Sequence, residues 1–162
     1  TVSISTVVSL ILGSMAGYFG GVVDSVIMRV ADIFISVPPL VLSMCLSAAL
    51  GSGLFNTALA ISVGSIWPMT RQLRASILTI KGSEYLEASK AFGARDWYVI
   101  FHHVIPHALA PMIVQIAMQL GNSITQIATL SFLGLGVQPP IPEWGNMLAA
   151  GKQYIKSEAK RY

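Results

Sequence analysis

Long stretches without charged side chains place the strongest constraint on how this sequence can fold. Residues 1–21 and 33–70 contain no Asp, Glu, Lys or Arg. A membrane-spanning helix needs about 20 apolar residues to cross the hydrocarbon core, and the first stretch has that length. Charged residues make up 10% of the chain and hydrophobic residues 54%, whereas an ordinary soluble domain has roughly 25% charged residues. The sequence therefore predicts an all-α membrane protein.

Four membrane-spanning helices are predicted along the chain. The first covers residues 1–21, and its small residues recur every four positions, so a neighbouring helix can approach its backbone closely. These small residues are Ser5, Ser9, Gly13 and Gly17. The stretch 33–70 is too long for one helix and is interrupted by Gly and Ser at 51–53, which predicts a hairpin of two spans. The last span is predicted at 107–133.

Positive charges indicate how the four spans are oriented. Between the first two spans, Asp24, Arg29 and Asp32 mark an aqueous or interfacial segment. The basic residues on that side of the layout are Arg29, Arg71, Arg74, Lys81, Lys90 and Arg95. The turn at 51–56 has none, so the positive-inside rule places the polar segment 82–105 in the cytoplasm. The basic residues at 152, 156, 160 and 161 disagree with this orientation, because they would lie on the outer side. They are given less weight because they lie beyond the last complete span.

The segment 82–105 is predicted to form two short helices exposed to water. Glu84 lies in the opening turn of the first helix, where the helix dipole favours a carboxylate, and Gly93 ends that helix. Asp96 is a suitable N-cap for the second helix, and Pro106 can start the last span. A partner protein can reach a water-exposed segment of this kind. On this pattern alone, a solvated connector fits equally well.

Five polar residues of the last span are spaced four, three, four and three apart, so they lie on one face of a helix. They are Gln115, Gln119, Asn122, Gln126 and Thr129. Facing lipid, these side chains would be costly, so they must face protein or a water-filled path. Hydrogen bonding between helices and lining of a transport pathway both fit the pattern, and the two can coexist. Amide side chains can donate to and accept from a peptide backbone.

No catalytic residue, cofactor or metal site is predicted. The histidines His102, His103 and His107 invite a metal interpretation, but Pro106 lies among them and no Cys, Asp or Glu at a useful spacing completes a site. The glycines at 145 and 151 are one residue too far apart for a phosphate-binding loop, and Gln153 stands where Ser or Thr is needed. Because the basic residues are scattered, nucleic acid is not expected as a partner.

Several residues between 87 and 106 stand at the spacing of a known signature. They are Glu87, Ala88, Ser89, Gly93, Ile105 and Pro106. This arrangement resembles the motif E-A-A-x3-G-x9-I-x-L-P of ABC importer permeases, with Ser89 for the second Ala, His103 for the Ile and Ile105 for the Leu. The flanking segments 16–21, 24–38, 130–140 and 143–148 resemble the C-type permease of the dipeptide, oligopeptide and nickel transporters. The resemblance covers essentially the whole chain.

The resemblance implies a polytopic helical bundle of the type I ABC importer kind. It implies one permease domain over 1–162, incomplete at both ends, with further spans before and after it and with the cytoplasmic coupling loop at 82–105. The implied ATPase-coupling residues are Glu84, Tyr85, Glu87, Ala88, Ser89 and Gly93. The chain itself is not expected to be an enzyme, because ATP hydrolysis would belong to a separate subunit.

The resemblance also implies a set of partners in a prokaryotic inner membrane. These are a second permease subunit forming the other half of the pore, two cytoplasmic ATP-binding subunits, an extracytoplasmic solute-binding protein and membrane lipid. The implied substrate is a dipeptide, an oligopeptide or, less commonly, a nickel complex. Two other functions remain open from the residues alone: a passive channel lined by the polar stripe, and an intramembrane metal enzyme that uses the histidine cluster.

Overall fold

The computed structural model describes residues 1–83, 89, 92–138 and 140–158, with side chains as far as Lys152. The described part of the chain is helical and contains no strand, which confirms the all-α prediction. Its helices are α1 (Val2–Phe19), α2 (Gly21–Ile35), α3 (Pro39–Leu50), α4 (Leu54–Lys81), α5 (Asp96–Phe132) and α6 (Trp144–Glu158). Of these, α4 is central, because α1, α2, α3 and α5 all pack against it.

Helices α1 and α4 run in the same direction and approach each other closely. Near the N-terminal part of α1, the Ser9 hydroxyl donates to the Ile66 carbonyl at 2.9 Å. Two turns further along α1, Gly17 lies against Ile77, so residue numbers rise together on both helices. A Cβ atom added at Gly17 would be 2.8 Å from Ile77 Cβ, closer than carbon atoms pack. The predicted close approach at the small residues of α1 is confirmed.

We expect Gly17→Ala to destabilise the full-length permease by about 1–3 kcal/mol, because the added methyl overpacks the α1–α4 contact. The matched control is Gly121→Ala on α5, where no described atom lies within 4 Å of an added Cβ. The measurement is the thermal unfolding midpoint of the purified permease in detergent. Equal midpoints for the two variants would show that α1 and α4 are not packed this tightly.

The hairpin predicted within 33–70 is present, but its first arm does not begin at residue 33, because residues 33–35 belong to α2. Helix α3 begins at Pro39, where a missing N–H is tolerated, and makes an angle of 86° with α2. The break before α4 contains Gly51 and Gly53, both with positive φ angles of 84° and 151°. There, the Asn56 side-chain amide donates to the Leu50 carbonyl at 2.8 Å. The residues expected to form an interfacial segment, Asp24 to Asp32, lie on α2.

Helix α5 corrects the predicted start of the last span. The sequence predicted a separate short helix after Asp96 and a span beginning near His107, whereas Asp96–Phe132 forms one helix of 37 residues. A π-helical turn at Ile100–Val104 lies directly before Pro106. Proline lacks a backbone N–H and distorts a helix without necessarily ending it. Residues 96–105 of the segment 82–105 are therefore the first turns of α5.

Among the described residues, α1 and α5 are long and apolar enough to cross a membrane, and the bent pair α2–α3 would be a third crossing if it acts as one span. Helix α4 has 28 residues but is less apolar, since its second half contains Arg71, Arg74 and Lys81. It runs parallel to α1 and antiparallel to α5, where Ser65 of α4 is paired with Gln119. Along the sequence, the bundle is thus formed by α1, the bent pair α2–α3, α4 and α5, in that order.

Candidate functional site

The two helices that flank residues 82–95 both meet the C-terminal end of α1, and we call this end of the bundle the loop end. Lys81, the last residue of α4, donates from Nζ to the Tyr18 carbonyl at 2.7 Å. The Tyr18 hydroxyl donates to Asp96 Oδ1 at 2.5 Å. Tyr18 therefore contacts the residue before the segment 82–95 and the residue after it. The N-cap role predicted for Asp96 is wrong, because Arg95 holds the cap position and no side chain caps the helix there.

These contacts satisfy groups that a helix end leaves without partners. The last carbonyls of α1 lack intrahelical donors, and the lysine ammonium is favoured there by the helix dipole. A hydrogen bond to an ionised carboxylate is stronger than one between neutral groups, and the side chain of Tyr18 is only 4% exposed. Asp96 is exposed and Lys81 half-buried, so both bonds are partly shielded from competing water. They tie α1, α4 and α5 together at the loop end.

A buried apolar cluster supports this end of the bundle. Its members come from α1, α4 and the first half of α5, including the π-helical turn. They are Tyr18, Met69, Leu73, Ile77, Val99, Ile100, Val104, Ala108 and Met112. Close van der Waals packing of such side chains helps to hold membrane helices in one arrangement, because lipid offers no hydrophobic drive for their association. The packing of these side chains therefore holds Tyr18 in the position from which it makes its hydrogen bonds.

Two ion pairs join α2 to α4 near the same end. The Arg74 guanidinium donates to both carboxylate oxygens of Asp24, with Nη2 at 2.5 Å from Oδ2. Arg71 pairs with Asp32 in a more exposed position. Arg71 and Arg74 supported only the predicted orientation of the spans, and neither ion pair was predicted. The available signal was that Arg71 and Arg74 are three apart and Asp24 and Asp32 eight apart, which places each set on one helix face.

Gly93 forms the turn that the sequence predicted. Its φ angle is +81°, in the left-handed region that favours glycine. The Ala94 N–H donates to the Ser89 carbonyl at 3.2 Å, which is the hydrogen bond of a helix end closed by a left-handed glycine. Ser89 is half-buried and Gly93 exposed. The other implied coupling residues, Glu84, Tyr85, Glu87 and Ala88, lie outside the described residues.

Aromatic side chains are exposed beside this turn. Phe92 is 93% exposed, the largest exposed fraction among the large apolar side chains described. Trp97 and Phe101 on the first turns of α5 are also exposed, and their ring centroids are 6.3 Å apart. Aromatic residues are enriched among the anchors of protein interfaces. These three residues were not predicted as site residues, although aromatic residues in an otherwise polar segment were the available signal.

The polar stripe of α5 is only partly buried. Gln119 is 8% exposed, and its Nε2 donates to the Ser65 hydroxyl at 2.5 Å. Gln115, Gln126 and Thr129 are half-buried and Asn122 is exposed. The contact of Gln119 is a hydrogen bond between helices, one of the two roles predicted for the stripe. Asn122, three residues further along α5, faces away from the described part of the bundle.

The histidines lie on the first turns of α5 near Tyr98. The ring of Tyr98 stacks on that of His102 with centroids 4.3 Å apart. His107 Nδ1 lies 2.8 Å from the His103 carbonyl oxygen, one turn back along the helix. Within the described residues, no group of three or more His, Cys, Asp and Glu side chains is arranged to hold a metal ion.

At the opposite end of the bundle, α6 folds back against α5. Glu143 caps α6, because its Oε2 accepts from the backbone N–H groups of Gly145 at 2.7 Å and Asn146 at 3.3 Å. A Cβ atom at Gly145 would lie 2.1 Å from the Ala128 carbonyl oxygen, so only glycine fits there. A mainly apolar groove of about 810 Å³ separates the two helices further along.

Comparison with known proteins places this architecture in a family. The family model for the binding-protein-dependent transport system inner membrane component matches residues 9–155. The probable D,D-dipeptide transport system permease protein DdpC of Escherichia coli is 43% identical over 154 residues, which are 95% of this chain and 52% of that protein. The dipeptide transport system permease protein DppC of Alkalihalophilus pseudofirmus is 40% identical over 146 residues, 90% of this chain and 48% of the relative.

A third relative is named for a different substrate. The glutathione transport system permease protein GsiD of Pectobacterium atrosepticum is 38% identical over 148 residues, 91% of this chain and 49% of that protein. The chain spans about half the length of the curated relatives it matches. Since the family model covers nearly all of the residues described above, the chain belongs to the family of binding-protein-dependent transport system inner membrane components.

Proposed function

We propose that this chain is part of a permease subunit of an ATP-driven importer for small peptides, and that the segment 82–105 is its coupling loop. The observation that carries the proposal is the turn at Gly93. It combines a left-handed glycine with the Ala94 to Ser89 hydrogen bond, inside the E-A-S-x3-G sequence that resembles the coupling signature. A turn of this kind reverses the chain in a defined conformation at Gly93, as a docking loop requires.

The proposed assembly contains four kinds of subunit in a bacterial inner membrane. A second permease subunit would complete the pore, two cytoplasmic subunits would hydrolyse ATP, and a solute-binding protein would deliver the substrate. The relatives reported above are named for D,D-dipeptide, dipeptide and glutathione transport, and none of those three is named for nickel. A small peptide is therefore the proposed substrate.

The contacts of the loop end suggest how motion would pass into the membrane. Binding of ATP would bring the two ATPase subunits together and displace the docked segment, which biases the pore between two states. Lys81 and Asp96 flank residues 82–95, the part of that segment before α5, and both are bonded to Tyr18, so α4 and α5 would move with it. Because α5 continues as one helix to Phe132, the displacement would reach the polar stripe.

Two side chains of the segment are the proposed contacts with the ATPase subunit. Phe92 would be the apolar anchor, since a phenylalanine exposed to 93% beside the turn at Gly93 gains most from burial in a partner's groove. Glu87 would add a polar contact, as the resemblance implies. The proposed interface thus combines an apolar anchor with a polar contact, the usual organisation of a docking surface.

The proposed function is tested by peptide uptake into proteoliposomes that contain the complete transporter. With substrate-loaded binding protein outside, we expect uptake of a labelled dipeptide only when ATP is present on the side of the ATPase subunits. A variant ATPase subunit that binds but does not hydrolyse ATP is the control and should give no sustained uptake. Uptake that is independent of ATP would instead support the passive channel.

We expect Asn122→Leu to reduce uptake about tenfold, the equivalent of one hydrogen bond of ~1.4 kcal/mol to the substrate or to water in the pathway. Membrane insertion should be unaffected, because leucine inserts more favourably than asparagine. Gln119→Leu separates packing from transport, since Gln119 is bonded to Ser65. The control is Ile124→Leu on the other side of α5. If uptake is unchanged in Asn122→Leu, the polar stripe serves interhelical packing and does not line the transport pathway.

A further inference from the structure

Tyr18 is the point where both ends of the segment between α4 and α5 are held. Its carbonyl accepts from Lys81 Nζ at 2.7 Å, and its hydroxyl donates to Asp96 Oδ1 at 2.5 Å. Fourteen residues, 82–95, separate Lys81 from Asp96 in the sequence. One residue of α1 therefore contacts the residue before this segment and the residue after it.

Additional contacts hold the same residues together. The Lys81 ammonium lies 5.9 Å from the centroid of the Tyr18 ring, within the range of a cation–π interaction. The next residue, Phe19, makes an edge contact with the ring of Trp97, with centroids 6.0 Å apart. The end of α1 is thus linked to the end of α4 and to the start of α5 by polar and by aromatic contacts.

The chemistry of the two hydrogen bonds differs in a way that an experiment can use. The bond from Lys81 reaches a backbone carbonyl, which any residue at position 18 would supply. The bond to Asp96 requires a hydroxyl at the end of an aromatic ring, which Tyr18 supplies. Removing that hydroxyl leaves the buried ring and the Lys81 contact in place. It removes the polar contact between α1 and the start of α5, while the aromatic contact of Phe19 with Trp97 stays.

We infer that Tyr18 is a positioning residue for energy coupling, which makes α4 and α5 move as one unit when the segment between them is displaced. The inference rests on the proposed function of the segment 82–105 as the coupling loop. Without the Tyr18 to Asp96 bond, a docked loop can move while the first turns of α5 stay behind or deform. ATP would then be hydrolysed with less movement of the pore.

The test is Tyr18→Phe in the full-length permease, purified and reconstituted with all its partner subunits. Three quantities are measured: co-purification of the ATPase subunits, the rate of ATP hydrolysis with loaded binding protein, and peptide transported per ATP hydrolysed. We expect normal co-purification, continued hydrolysis and at least a fivefold fall in peptide transported per ATP. A merely structural role would change assembly or all rates together and leave that ratio unchanged.

Matched variants separate the hydrogen bond from other effects. Tyr98→Phe removes a hydroxyl from an exposed tyrosine of the same region and should leave the ratio at the wild-type value. Asp96→Asn keeps an oxygen that accepts from Tyr18 and should retain most coupling, whereas Asp96→Leu should match Tyr18→Phe. Because the two groups act through one bond, the double variant Tyr18→Phe/Asp96→Leu should be no worse than Asp96→Leu alone.

The outcomes distinguish this inference from the proposed function. If wild-type uptake depends on ATP and Tyr18→Phe transports as much peptide per ATP as wild type, the positioning role is wrong and the proposed function stands. Loss of ATPase co-purification in Tyr18→Phe would also overturn the positioning role, because the residue would then be needed for assembly. If wild-type uptake does not depend on ATP, both fail.

Discussion

Gly93→Val is expected to abolish the stimulation of ATP hydrolysis by substrate-loaded binding protein in the reconstituted transporter. Gly93 has a φ angle of +81°, which a β-branched residue adopts only with strain of about 1–3 kcal/mol. The turn would relax to another conformation and lose the Ala94 to Ser89 hydrogen bond. The whole docking surface would then point elsewhere, so the loss should exceed that of Glu87→Ala, which removes one polar contact worth about 1–3 kcal/mol.

The control for this prediction lies in the same segment. Gly82 has an ordinary φ angle of −82° and no described atom within 4 Å of an added Cβ, so Gly82→Val makes the same chemical change without the strain. We expect it to retain most of the stimulation. Assembly is checked in each case by co-purification of the ATPase subunits. A normal response in Gly93→Val would rule out any relay of motion through this turn.

Reversal of one charge in the Arg74–Asp24 pair is expected to destabilise the permease by about 3 kcal/mol. The side chains of Arg74 and Asp24 are 29% and 17% exposed, so water cannot fully screen two facing carboxylates in Arg74→Asp. The double variant Asp24→Arg/Arg74→Asp restores an opposite pair and should recover most of the lost stability. The measurements are the amount of full-length permease in membranes and its unfolding midpoint.

The neighbouring pair provides an internal comparison. Arg71 and Asp32 are 48% and 55% exposed, and exposed ion pairs contribute about 0–1 kcal/mol. Arg71→Asp should therefore change the midpoint much less than Arg74→Asp. Equal effects of the two reversals, or no recovery in the swapped pair, would mean that α2 is not held to α4 by the Arg74–Asp24 contact.

Local sequence signals were sufficient for the breaks and close contacts of this fold. Glycines at 51–53 and at Gly93 predicted turns, and both turns have the positive φ angles that only glycine adopts easily. The four-residue spacing of Ser9, Gly13 and Gly17 predicted a close helix contact, which α4 supplies. These features depend on residues near each other in the chain, and therefore a single sequence reveals them.

Contacts between distant residues could not be predicted in the same way. Tyr18 and Asp96 are 78 positions apart, and nothing in either neighbourhood indicates the partner. Asp96 had the features of an N-cap, but tertiary packing offered its carboxylate the hydroxyl of Tyr18. Pro106 suggested a helix start, yet the preceding π-helical turn allows α5 to continue through it. The coupling role of Glu84, Tyr85, Glu87 and Ala88 remains a prediction.

Photocrosslinking from position 92 tests the central claim, that the segment 82–105 docks on an ATP-hydrolysing subunit. Replacing Phe92 with p-benzoylphenylalanine keeps an aromatic ring at the most exposed position beside the turn. The same replacement at Phe55, exposed at the opposite end of the bundle, is the control. In the complete transporter, we predict a crosslink to the ATPase subunit from position 92 and none from position 55. Crosslinks from position 92 to lipid or to the binding protein alone would contradict the account.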